Sequence, residues 1–248
     1  MFRSSSASTA ELRPVAVKRW FLALVLAGCS TLPEYAAPKG GVVEAGKLDS
    51  SDVIGYRQVT RSDFRGTQAP PEFAAVADRV GAATCGQVRT TDDTTFLINW
   101  RQESPTSEKR YSVEVKKLGF MALMDRRCSW WNERLAARAP GYVLQHEQIH
   151  FALYELGARK LNASVEELKR DMAGSGSSQE AVQTHAQQAL NEALGKATEE
   201  LLDRNRDFDS DTSLGYRPDR QRAWLQKVTE ELAETQGFAS PPYVPSKG

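Results

Sequence analysis

The chain has 248 residues, 40% hydrophobic and 26% charged, which is enough apolar material for one globular domain and too much for a disordered chain. Lys+Arg and Asp+Glu both number 32, so the formal charge is zero and no basic excess argues for nucleic acid as a partner. The charges read as a mixed, solvated surface.

Lys18 and Arg19 precede the apolar run Trp20 to Leu26. That run is too short for a membrane span of about 20 apolar residues and suits a signal-peptide core. It ends in Leu26-Ala27-Gly28-Cys29-Ser30, which resembles the bacterial lipobox. The resemblance implies removal of residues 1–28 and lipidation of Cys29, and Ser30 resembles the sorting signal for an outer membrane. The expected location is therefore the cell envelope, lipid-anchored and facing the periplasm. The alternative is an ordinary secretory signal with a cysteine by chance. Residues 29–50, with Pro33, Pro38, Gly40, Gly41 and Gly46, read as a tether. The remaining cysteines, Cys85 and Cys128, could pair in an oxidising compartment, and their spacing does not decide whether they do.

The folded part is expected over 51–237. Thr95 to Trp100 and the alternating Tyr111 to Val115 predict two strands, and Glu103 to Glu108 supplies turn chemistry for a hairpin between them. The apolar run Leu118 to Met124 either extends the second strand or pairs again. From Ser129 the pattern turns helical. A first helix is predicted over Trp131 to Ala137, stopping near Pro140, and a second over Gly141 to Asn162. Ser164 and Glu167 have capping-box spacing for a short third helix. Gly174 to Ser178 reads as a flexible break. A long amphipathic helix follows, with Val182, Ala186, Leu190, Ala193, Leu194, Ala197 and Leu201 along one stripe. Arg204 to Tyr216 reads as a polar loop, Trp224 to Leu232 as a last helix, and residues 238–248 as a loose tail. The predicted class is α+β, with antiparallel strands first and helices last.

Two of the three histidines lie in His146-Glu147-Gln148-Ile149-His150. Residues four apart on a helix are separated by about 40° around its axis, so both imidazoles can grip one ion. Glu147, about 100° from His146, is poorly placed as a ligand and well placed to touch water on the metal. Zinc lowers the pKa of bound water, and a neighbouring carboxylate then takes its proton and passes it to a leaving amine. With so few histidines, this spacing arises by chance about two times in a thousand. The competing explanation is a pair of core histidines, since His146 and His150 share a stripe with Val143, Leu153 and Gly157. Two buried imidazoles one turn apart still need polar partners.

The segment Leu144-Gln145-His146-Glu147-Gln148-Ile149-His150-Phe151, continuing through Glu155 and Ala158-Arg159, is similar to the bacterial domain-of-unknown-function family 922, described as zinc-dependent proteases. The resemblance spans roughly residues 55 to 235. The family's L-x-W-x-D-F-x-G element appears as Val59 to Gly66 without its tryptophan, and its Ser-Trp step as Ser129-Trp130. Its Y-D-x-x-T-x-H-G element appears as Phe208 to Gly215, followed by a matching Gln221 and Trp224. The resemblance implies a membrane-anchored zinc peptidase acting on a peptide or protein substrate, with Glu147 catalytic and His146 and His150 on the metal. A catalytic zinc takes a third protein ligand. The chain keeps Asp209 of the late element and carries Leu214 where the family has His, so Asp209 is the expected third ligand. His185 and Glu155 stay open as alternatives, although Glu155 sits four residues before Arg159 at ion-pair spacing. Tyr154 or Tyr216 would supply an oxyanion donor. Two other functions remain open: a non-catalytic envelope lipoprotein with a structural or vestigial metal site, and a zinc amidase acting on the cell wall.

Overall fold

The computed structural model describes residues 50–245. Cys29 and all but the last residue of the expected tether lie outside the described residues.

The first half is built of short antiparallel strands. β1 (Val53–Gly55) and β3 (Gly86–Thr90) flank β6 (Phe120–Asp125) in one sheet. β2 (Ala82–Ala83) pairs with β7 (Trp130–Trp131). β4 (Thr95–Arg101) and β5 (Arg110–Lys117) form the expected hairpin, and β8 (Gly174–Gly176) adds to the other edge of β5. The run ending at Met124 does not extend β5. After Gly119 it enters the first sheet as the central strand β6, whose residues Phe120 to Met124 are all buried. A strand covered on both faces reads as a continuous apolar run, as this one does.

The second half is helical. α1 (Glu133–Ala136) is capped by Asn132, whose side chain accepts from the Leu135 amide. The expected helix start at Trp131 is incorrect: Trp131 is in β7, its indole packed against Phe64, and β-propensity won over the helical pattern. α2 (Pro140–Ala163) begins at Pro140, which suits the first helical position because its missing N–H has no partner there. α3 (Val165–Met172) follows, without the capping box predicted from Ser164. α4 (Gln179–Thr212) and α5 (Pro218–Glu234) complete the set. The fold is thus α+β, with strands in the first half and helices in the second.

Three further expectations are corrected. Gly174–Gly176 is an ordered edge strand, held by main-chain pairing that needs no side chains. Arg204 to Thr212 is helix and not loop, which makes α4 34 residues long, or about 51 Å at 1.5 Å per residue. The tail packs down at least as far as Ser240, which is buried and donates from both its amide and its hydroxyl to Glu155.

α2 is the axis of the core. Between His146 and Phe151 every residue is buried, because β6 and β3 cover one side and α4 and α5 the other. α4 divides its labour along its length. Val182, Ala186 and Leu190 pack in the core near β5, β8 and α3, and its last turns lie on α2. That second contact sets Asp209 opposite the two histidines.

Candidate metal centre

His146 and His150 project from one face of α2, their ring centroids 4.9 Å apart. Opposite them, α4 presents Asn205, Phe208, Asp209 and Thr212 at positions i, i+3, i+4 and i+7, which share one helical face. Phe208 stacks on His146 at 4.4 Å and meets His150 edge-on at 4.8 Å, an apolar wall that limits ring rotation. Asp209 Oδ1 lies 3.2 Å from His146 Nε2 and 3.1 Å from His150 Nε2.

The far side of each ring fixes its tautomer. Gln221 on α5 turns its amide nitrogen to the Tyr142 carbonyl (3.2 Å) and to Gln145 (3.1 Å), so its oxygen faces His146 Nδ1 at 3.1 Å. Asn205 donates to the Leu201 carbonyl at 2.8 Å, so its oxygen faces His150 Nδ1 at 2.7 Å. Each oxygen can only accept, so each Nδ1 carries the proton. In the neutral rings both Nε2 atoms then present lone pairs to the carboxylate of Asp209. Three acceptors converge on one point, and their ligand atoms all lie within 4.8 Å of one another. Such an arrangement calls for a cation, either a proton or a metal. Four ligands at about 2.0 Å around a tetrahedral ion sit about 3.3 Å apart, close to both Nε2–Oδ1 separations. His146, His150 and Asp209 can therefore hold a metal ion.

The electrostatics carry the same signature. Burial alone would lower the pKa of His150, but the charge and hydrogen bond of Asp209, with Glu147 and Asn205 behind them, raise it to about 9. Burial would raise the Asp209 carboxyl. When the rings are protonated, the His150 charge and the hydrogen bonds from both imidazoles outweigh it and hold that group well below the usual carboxylate range. Without metal, a proton on His150 supplies the missing positive charge.

Glu147 is buried beside the triad, and burial raises its pKa against the pull of His150, His146 and a hydrogen bond from the Thr84 hydroxyl. Thr84 Oγ1 donates to Glu147 Oε2 at 2.8 Å. Glu147 and the three ligand candidates open onto a single cleft of about 770 Å³. Segment 82–86 forms part of its wall, where the Cys85–Cys128 disulfide also lies.

The remaining expected site residues separate cleanly. His185 is exposed on α4, 24 residues before Asp209 and so about 36 Å away along the helix, with its ring against Gly174. Glu155 is fully buried, engaged by Arg159 Nε at 2.7 Å and by Ser240. Neither can reach the triad. Tyr154 lines the cleft, its ring pressed so close to Gly86 that a Cβ there would sit 2.3 Å from a ring carbon. The Tyr216 hydroxyl is occupied by the Arg79 carbonyl at 2.9 Å. Leu214 contributes no ligand. It sits in the cleft wall with Gly215, and Ser213, Leu214 and Gly215 are all in the left-handed region at φ of 51°, 58° and 85°. This turn is fastened by Tyr142, whose hydroxyl donates to the Gly215 carbonyl at 2.7 Å. Sequence reasoning missed Thr84 and Asn205, and it noted Gln221 without a role. Only the four-residue interval from Asn205 to Asp209 could have flagged Asn205.

Comparison of the chain with family models, with curated proteins and with solved structures gives no match.

Proposed function

We propose that the protein is a zinc-dependent metallopeptidase of the bacterial cell envelope, anchored through lipid on Cys29. In this proposal His146, His150 and Asp209 bind the metal and Glu147 is the general base. The observation that carries the reading is the convergence of two Nδ1-protonated histidines and one carboxylate at the floor of a cleft that also holds Glu147. Two histidines with one carboxylate, leaving a coordination position open, is a ligand set used by catalytic zinc. Structural zinc sites are closed by four protein ligands, and among the described residues only three donors meet here. That difference favours catalysis over the non-catalytic alternative.

Zinc in this position supplies an acidified water and polarises a substrate carbonyl. The protein supplies the rest. Asn205 and Gln221 fix the orientation of both imidazoles. Glu147 takes the proton of the attacking water and delivers it to the leaving amine. Its buried position, which raises its affinity for a proton, suits both halves of that transfer. Thr84 engages one oxygen of the carboxylate and leaves the other for the proton. Tyr154 is the better placed of the two tyrosines to donate to a developing oxyanion, because Tyr216 is already engaged. Among the described residues β2 pairs only with β7, along one edge, and its residues line the cleft, so an extended peptide can add to its other edge.

The test compares zinc-loaded wild type with Glu147→Gln on an unfolded protein and on purified peptidoglycan. The expected result is protein cleavage by wild type, a loss of about 10²- to 10⁴-fold in the variant, and unchanged zinc content. Equal rates for the two proteins would refute the proposal. Release of wall peptides without protein cleavage would assign the site to the cell-wall amidase class.

A further inference from the structure

Resting on the peptidase reading, we propose that the cleft selects peptides carrying a carboxylate side chain next to the apolar residue it buries, with Arg79 and Arg138 as the specificity-determining residues. The walls of the cleft are mainly apolar, with Phe73, Val80, Leu135 and Val143 among the lining. Outside the residues at its floor, the charged lining is Arg79, Arg138 and Arg206 against the single carboxylate of Glu72. Arg206 is already paired with Asp203 on its own helix. Arg79 and Arg138 have no carboxylate partner among the described residues. Both are exposed. This excess is local, because the chain as a whole carries equal numbers of acidic and basic residues.

The two arginines sit on one fastened rim. The Asn132 amide donates to the Ala77 carbonyl at 3.0 Å and to the Val80 carbonyl at 3.2 Å, while its oxygen caps α1, which leads directly into Arg138. From the opposite side the Tyr216 hydroxyl holds the Arg79 carbonyl. The backbone under Arg79 is therefore tied to both walls of the cleft before any ligand arrives. A guanidinium presents a planar fork of donors that matches a carboxylate. Two of them beside an apolar trough fit a peptide in which an acidic residue neighbours a bulky apolar one.

The experiment uses zinc-loaded full-length Glu147→Gln protein, which holds peptides without cleaving them, and two blocked pentapeptides. One alternates leucine with glutamate and the other alternates leucine with glutamine. Binding of each is measured with and without the additional changes Arg79→Gln and Arg138→Gln. The acidic peptide is expected to bind about tenfold more tightly than its amide counterpart, and the advantage should shrink as salt is raised. The double arginine variant should lose the advantage and keep its affinity for the amide peptide. Equal binding of the two peptides, binding of neither, or a preference that survives in the double variant would overturn the proposal. Hydrolysis is scored separately in the wild-type background. A charge preference in binding with no cleavage of either peptide leaves this inference standing and counts against the peptidase. Cleavage without a charge preference does the reverse.

Discussion

Helix α2 carries two buried polar clusters little more than one turn apart, and they are built on opposite principles. Glu155 and Arg159 form a cluster closed in charge, with Arg159 Nη2 alone left without a hydrogen bond among the described residues. The carboxylate accepts from Arg159 at 2.7 Å and from the Ser240 amide at 3.0 Å, and Arg159 passes a further hydrogen bond to the Leu232 carbonyl at 2.6 Å. Charge meets opposite charge, and both side chains are fully buried. The His146–His150–Asp209 cluster is open: its outer hydrogen bonds are complete, but its centre holds three acceptors and no donor once the rings are neutral. A closed cluster fastens the fold, tying α2 to the C-terminal segment. An open one in the wall of a cleft is shaped for something the chain itself does not provide.

The contrast can be broken experimentally, most severely at the closed cluster. Arg159→Met leaves the Glu155 charge buried without its cation, and loss of one member of such a pair costs about 3–5 kcal/mol. Urea unfolding should report that loss while zinc affinity, measured on the folded variant, stays at the wild-type level. A large fall in affinity would mean that the two clusters act as one unit.

The outer hydrogen bonds of the open cluster should behave in the opposite way. Asn205→Ala and Gln221→Ala each free one imidazole from its orienting acceptor and should weaken zinc binding about 10- to 100-fold. Competition with a chelating dye measures this. Unchanged affinity in both variants would remove the orienting role assigned to the two amides.

A third effect concerns pH in the metal-free protein. His150 is raised from its ordinary value of 6.5 to about 9, so its proton is held more tightly in the folded than in the unfolded chain. The stability this contributes is complete below pH 6.5 and is lost as pH rises through about 9. The metal-free protein should therefore become less stable over that interval, and Asp209→Asn, which removes the charge responsible, should flatten the slope. Asp209 contributes in the other direction: its lowered pKa gives stability above its ordinary value that is lost as pH falls through the folded value. A metal-free protein whose stability is flat from pH 6.5 to 9 would contradict the electrostatic picture.

The sequence carried part of this organisation and concealed the rest. The four-residue interval between His146 and His150 was enough to place both rings on one helical face, because helix geometry alone decides it. The β4–β5 hairpin was readable from alternation and turn chemistry. The element that bears Asp209 was not. From Arg204 to Thr212 only Leu and Phe residues could mark a buried face, and Phe208 stands alone there, so hydrophobic periodicity has nothing to follow. Asn205, Asp209 and Thr212 line that face through polar contacts that pattern analysis cannot weigh. Gly174–Gly176 failed for a related reason, since its strand character comes from the edge of β5 and not from its own side chains. Thr84 reaches Glu147 from 63 residues away, a distance that no local motif spans.

The most direct test is zinc content per chain after purification of the full chain and exposure to a small excess of zinc. Wild type and His185→Ala should each retain one ion, whereas His146→Ala and Asp209→Ala should retain none under the same wash. A wild-type protein that leaves the column without zinc, or an Asp209→Ala protein that holds it as tightly as wild type, would contradict the triad.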